Sequence, residues 1–135
     1  MQLDTKWLAE QGEDARLLTY VARGFSKHKP SKIAVAVSGG SDSKALLDLT
    51  VRWAKHAGLP LLAVTVDHGL RAEAGAEVAE VAAYCESVGI EHTTLEWRNW
   101  DGHGNLMAAA RDARYRLIGA WAVANGVDVV ALGHT

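Results

Sequence analysis

At 135 residues, 49% of them apolar, the chain is long enough for one domain with a sizeable core and too short for two. Fourteen Lys and Arg against sixteen Asp and Glu leave a net charge of −2. That balance excludes a domain that grips nucleic acid by bulk positive charge alone, so an RNA partner would have to be held by further parts. The apolar runs are strand-sized, no secretory leader opens the chain, and the single cysteine, Cys85, makes no internal disulfide; a cytoplasmic protein without a membrane partner is expected.

Leu17, Leu18, Val21 and Phe25 recur at helical spacing between Asp14 and Lys27, with Arg16 and Arg23 elsewhere on the wheel, which predicts a leading amphipathic helix. A basic linker follows, Lys27-His28-Lys29-Pro30-Ser31-Lys32; it offers charge to RNA phosphates, although solvation of a linker explains it more simply. Ile33 to Val37 is a continuous apolar run, the mark of a strand buried on both faces. It stops at Ser38-Gly39-Gly40-Ser41-Asp42-Ser43, after which a helix beginning near Ser43 carries Leu46, Leu47 and Leu49 to Ala57 and ends at Gly58. Leu61 to Val66 forms a second buried strand, closed by Asp67 and His68.

Val78, Val81, Ala82, Cys85 and Val88 mark the inner stripe of the next helix, which stops at Gly89. Cys85 on that stripe reads as a small buried hydrophobe, because a reactive thiolate needs exposure and positive neighbours. Glu91 to Trp97 alternates as an edge strand does. Beyond a glycine-rich loop, Asn105 caps a long helix whose apolar stripe is Leu106, Ala110, Ala113, Leu117, Trp121 and Ala124, and Val127 to Leu132 is the fourth strand. Strands alternating with helices predict an α/β fold, a doubly wound and mostly parallel sheet.

A strand, a tight glycine turn and a helix N-terminus together make an anion cradle, with free amide hydrogens, the helix dipole and serine hydroxyls converging. The spacing excludes a Walker A loop, since no glycine precedes Lys44, and excludes the Gly-x-Gly-x-x-Gly dinucleotide turn. Asp42 beside bound phosphates would repel them unless it caps the helix or reaches a bridging Mg²⁺. Asp67 and His68 are candidates to orient a nucleotide or metal, or they end the strand as a local turn.

Ser38-Gly39-Gly40-Ser41-Asp42-Ser43 resembles the pyrophosphate loop of the adenine-nucleotide alpha-hydrolases. Three further stretches, Val66-Asp67-His68-Gly69-Leu70-Arg71, the run from Asn105 to Leu117, and Gly133-His134-Thr135, narrow the resemblance to the tRNA(Ile)-lysidine synthetases over residues 32 to 135. The resemblance implies strand order 3-2-1-4, which puts the switch point between strands one and four, and ligands in such sheets bind at the carboxyl ends there. It further implies that Ser38, Gly39, Gly40, Ser41, Asp42 and Ser43 hold the phosphates of ATP, that the backbone at Ala36 and Val66 flanks the adenine, and that Asp67 and His68 join the nucleotide site. Arg111 and Arg114, three positions apart on one helix, and His134 become the candidates for the reacting side, where guanidinium groups steady the α-phosphate.

The implied reaction adenylates the wobble cytidine of tRNA(Ile) with a CAU anticodon, releases pyrophosphate, and replaces AMP with free L-lysine. ATP and Mg²⁺ are the implied cofactors, with Asp42 the metal ligand. Because the family continues past Thr135, residues 1 to 135 are expected to be the front of an ATP-pyrophosphatase domain without the tRNA-gripping domains, inactive alone. Oligomeric state, homo-oligomer included, stays open. The alternatives are another adenylating enzyme of the superfamily, either a tRNA thiolase, which would normally need further cysteines, or an amidotransferase-coupled synthetase, or else a nucleotide-binding module without chemistry.

Overall fold

The computed structural model describes residues 3–38, 41–67, 74–97 and 104–133. Four parallel strands, β1 (Ile33–Val37), β2 (Leu61–Asp67), β3 (Glu91–Glu96) and β4 (Val129–Gly133), lie in the order β3-β2-β1-β4. Among the described residues they are accompanied by five α-helices, α1 (Thr5–Ala9), α2 (Ala15–Ser26), α3 (Ser41–Ala57), α4 (Ala74–Val88) and α5 (Leu106–Ala124), and a single 3-10 turn at Gly12–Asp14. The crossovers through α3 and α4 add β2 and then β3 on one side of β1. The crossover through α5 returns to the other side and adds β4, so the strand order turns at β1, as expected.

Alternate residues of the central strands feed two cores. Ile33, Val35, Val37 and Ala63 face Leu18, Phe25, Leu47, Val51, Val81 and Cys85 from α2, α3 and α4. Ala34, Ala36, Leu62 and Val64 face Ile118, Trp121 and Ala122 of α5. All five residues of β1 are buried, whereas β3 is half-covered at the sheet edge. Both match the sequence pattern.

Three details differ from it. Leu17 is exposed although its neighbour Leu18 is wholly buried, because the buried stripe of α2 centres on Leu18, Val21, Ala22 and Phe25. On α5 the buried residues are Ala110, Ala113, Ile118, Trp121 and Ala122, with Leu117 only partly covered and Ala124 exposed. That helix serves two contacts: its first half meets Trp97 and its second half meets the sheet, so no single stripe runs its length. His92, which alternates with Thr93, Leu95 and Trp97 along the edge strand, is nonetheless half-buried with Nε2 2.9 Å from Thr65 Oγ1, and burial pushes its pKa down.

The amino ends of the strands are tied together below the sheet. Asp128 Oδ2 accepts from the Ser31 N–H and Oγ at 2.7 Å and the Lys32 N–H at 3.2 Å, while Lys32 Nζ donates to the Asn125 carbonyl at 2.8 Å. Donation from the Ser31 backbone, then from its hydroxyl and from the Lys32 N–H, holds the Asp128 carboxyl below its ordinary pKa. This clasp sets the register that brings Gly133 opposite Val37 at the other end of β1.

Candidate nucleotide site

Of the predicted residues, Ala36, Ser38, Val66 and Asp67 lie at the carboxyl edge of the sheet. Ala36 pairs with Val64 on one side and Leu132 on the other, and Val37 pairs with Gly133, so β1 and β4 end level with each other. Val66 and Asp67 lie two and three residues beyond Val64 and therefore project to the same edge. Val66 is half-buried on the α5 side, and Ala36 is buried there.

Between β1 and α3 the chain is closed by a serine clasp. The Ser38 N–H donates to Ser43 Oγ at 3.0 Å, and the two hydroxyl oxygens lie 3.2 Å apart. Ser43 is 1% exposed, whereas Ser38 faces solvent. Both hydroxyls are expected on a bound anion; in the structure that of Ser43 is turned inward, onto the Ser38 N–H. Ser38 and the amides at the start of α3, a 17-residue helix whose positive end points at this edge, are the groups that would face an anion here. The backbone of Ser41 and Asp42 opens that helix. Their side chains, together with Gly39, Gly40, His68 and His134, lie outside the described residues, so the metal-ligand expectation for Asp42 does too.

Lys44 does not turn toward the cradle. Its Nζ lies 2.7 Å from Glu80 Oε2 on α4, and one turn later Tyr84 Oη donates to Asp48 Oδ1 at 2.9 Å. These two rungs join α3 to α4 across a groove of about 340 Å³ lined by Lys44, Asp48, Glu80, Val81 and Tyr84. The ammonium of Lys44 lowers the Glu80 pKa, and burial with the Asp48 contact raises that of the Tyr84 phenol. The groove sits on the α3–α4 side, away from the α5 side on which Ala36 and Val66 lie.

Arg111 and Arg114 separate by environment. Arg111 is exposed. Arg114 is half-buried, its guanidinium carbon 5.5 Å from the centre of the Tyr115 ring. Its Nε is buried with no hydrogen-bond partner among the described residues. A chain of contacts places this arginine near the carboxyl edge: Ala110 and Ala113 pack on Trp97, and the Trp97 N–H donates to the Asp67 carbonyl at 3.0 Å. A buried guanidinium N–H without an acceptor is costly, and an anionic oxygen is the group that would satisfy it. The residues present thus fit a nucleotide phosphate. Trp97, a tryptophan ending an edge strand, and Tyr115, a tyrosine next to an arginine, carry no motif that marks them in the sequence. Among the described residues no group of three or more His, Cys, Asp or Glu could hold a metal ion.

Cys85 is wholly buried against the sheet, and desolvation raises its thiol pKa, so it is an inert core residue as expected. Among the described residues no helix is long and apolar enough to cross a membrane.

Residues 13–135 match a family profile described as a PP-loop domain. Among curated proteins the chain is 45% identical over 119 residues to the tRNA(Ile)-lysidine synthase of Ruegeria pomeroyi, an alignment covering 88% of this chain and 28% of the relative. It is 42% identical over 119 residues to that of Rhizobium meliloti, covering 84% and 26%. The chain therefore spans about a quarter of the length of the curated relatives it matches. Among solved structures, the U34-tRNA thiolase NcsA from Methanococcus maripaludis superposes with a TM-score of 0.74 at 21% identity, over 89% of this chain and 45% of that one. The NH3-dependent NAD synthetase of Campylobacter jejuni superposes with a TM-score of 0.64 at 14% identity, over 94% and 56%. Likeness at these identities is one of fold.

Proposed function

The chain belongs to the PP-loop family, and from that premise we propose that it is the ATP-binding, adenylating portion of a cytoplasmic tRNA(Ile)-lysidine synthetase. The observation that carries the reading is 45% identity to a lysidine synthase over 88% of the chain, a stretch that includes the serine-glycine cradle. The thiolase alternative draws only fold-level support.

In the proposed reaction the O2 of the wobble cytidine attacks the α-phosphorus of ATP. A new P–O bond forms, the bond to pyrophosphate breaks, and the amine of L-lysine then forms a C–N bond at C2 as AMP departs and the amine loses a proton. This chain's own residues would bind and orient. The amides at the start of α3 and the Ser38 hydroxyl receive the leaving pyrophosphate, and the backbone at Ala36 and Val66 borders the adenine. Arg114, with Arg111 one turn away, offers its unpaired N–H to the α-phosphate. Asp67, His68 and His134 complete the polar rim in this assignment. Mg²⁺, held by Asp42 and the phosphates, would supply charge neutralisation.

The test has two parts. Residues 1 to 135 titrated with Mg-ATP should bind it weakly, and should form no lysidine from tRNA(Ile) and L-lysine. A protein of the relatives' length that contains this chain should release pyrophosphate only when tRNA(Ile) with a CAU anticodon is present. Pyrophosphate release that ignores tRNA, or that follows a different tRNA, overturns the proposal.

A further inference from the structure

The charge of this chain is segregated. Five of its fourteen Lys and Arg, and none of its sixteen Asp and Glu, fall between Ala15 and Ser41, so the remainder is acidic by nine cations against sixteen anions. Within that stretch Arg16, Tyr20, Arg23 and Lys27 follow one another at spacings of four, three and four. At about 100° per residue they share an arc of roughly 60° on α2 and its C-cap. The arc lies opposite the buried stripe of Leu18, Val21, Ala22 and Phe25. All four side chains are exposed, Tyr20 by 80%, and among the described residues none of the three cations is held in an ion pair. Lys32, by contrast, is spent on the Asn125 carbonyl.

Lys29, two residues past Lys27, is also exposed and takes a left-handed backbone position, φ 47, where an L side chain is strained and glycine is not.

We propose that this face of α2 is an RNA contact: Arg16, Arg23, Lys27 and Lys29 track a phosphodiester backbone, and Tyr20, midway between the two arginines, stacks on an unpaired base. The inference rests on the lysidine reading for its choice of partner and adds the surface that reading lacks. Four exposed cations, none held in an ion pair among the described residues, suit a polyanion. An anionic membrane fits less well, because an interfacial helix inserts its apolar face, and that of α2 is already filled by the core. The contact is auxiliary. α2 leads into the amino end of β1, and the strand's five residues, about 16 Å, separate it from the cradle, a span that a folded RNA bridges. A net charge of −2 excludes a basic domain but not a basic face.

The experiment uses the 135-residue chain, a fluorescein-labelled unmodified tRNA(Ile) transcript and fluorescence anisotropy between about 50 and 200 mM salt. R16Q/R23Q/K27Q should weaken binding at least about tenfold at the lower salt and flatten the log–log salt dependence by roughly two to three units. Y20A should weaken binding about five- to tenfold with the slope unchanged. R16K/R23K/K27R should retain the slope, and thermal melts should be unaltered, since these positions are exposed. Wild-type affinity and slope in the triple glutamine variant overturn the inference. So does a wild-type chain that binds no tRNA, or one whose stripe variants lose binding only to anionic lipid vesicles or to polyglutamate. The lysidine reading is judged by tRNA-dependent pyrophosphate release, a separate readout: its failure alongside a stripe-dependent salt slope condemns that reading alone.

Discussion

Ser43→Ala tests whether the inward serine hydroxyl shapes the cradle. The substitution removes the acceptor of the Ser38 N–H, 3.0 Å away, and the 3.2 Å contact between hydroxyls, in a side chain that is 1% exposed. A typical intramolecular hydrogen bond contributes about 0.5–1.5 kcal/mol net, and stranding a buried donor costs about 1–3 kcal/mol. Ser38 faces solvent, so water reaches its amide and the lower range applies. The expected loss is about 1 kcal/mol, a fall of roughly 3–5 °C in melting temperature for a chain of this length. Free energy would be read by denaturant titration with an unchanged m value, and the turn by hydrogen exchange at the Ser38 amide, which should quicken about tenfold or more. ATP affinity should fall with it, since the amides at the start of α3 lose the brace that holds them convergent. Unchanged exchange at Ser38 with unchanged stability would refute the bracing role and return Ser43 to the ligand-facing set.

Arg114→Gln should weaken Mg-ATP binding more than Arg111→Gln in parallel calorimetric titrations, because only the Arg114 Nε is buried and unpartnered; equal losses would refute the distinction. Cys85 should resist iodoacetamide until guanidinium unfolds the chain, with native labelling at least about a hundredfold slower. His92 has a pKa depressed by burial, so the unfolded chain takes up its proton first. Stability should therefore be full above the unfolded value of about 6.5 and decline as pH falls through it toward the lower folded value, a decline that His92→Gln flattens in melts against pH. Lys29→Gly relieves the φ of 47 and should raise stability by up to about 1 kcal/mol in denaturant titrations, offset in part by the freer unfolded chain.

The elements legible in the sequence are those in which one physical demand governs a whole segment. Both faces of β1 are buried, so its five residues are all apolar, and the run reads as a strand without ambiguity. α5 answers to two surfaces, Trp97 near its start and the sheet near its end, and its many alanines fit either stripe; hence Leu117 and Ala124 were favoured where Ile118 and Ala122 are buried. α1 left no trace at all. Five residues are too few to show a period, and the helix is held by Asp4, which accepts from the Trp7 N–H at its own N-terminus and meets His56 Nε2 at 2.9 Å, with Trp7 stacked on the same imidazole 4.1 Å away. A partner some fifty positions along the chain is invisible to local pattern.

The same division runs through the candidate site. Backbone features such as the start of α3 are legible because few residue types favour them. Side-chain assignments within them are not, because chemistry is shared and only burial divides it. Ser38 and Ser43 carry the same hydroxyl, and one faces solvent while the other braces the turn. Arg111 and Arg114 carry the same guanidinium, and only one has a buried N–H awaiting an acceptor. Lys44, three positions past Ser41, is near enough to the cradle in sequence to be read as a phosphate ligand, yet α4 supplies Glu80 and draws it aside. In both pairs the chemistry of the side chain does not say which member is buried, and burial is what separates them. Substitutions that compare the two members of a pair are therefore worth more than any that remove the motif whole.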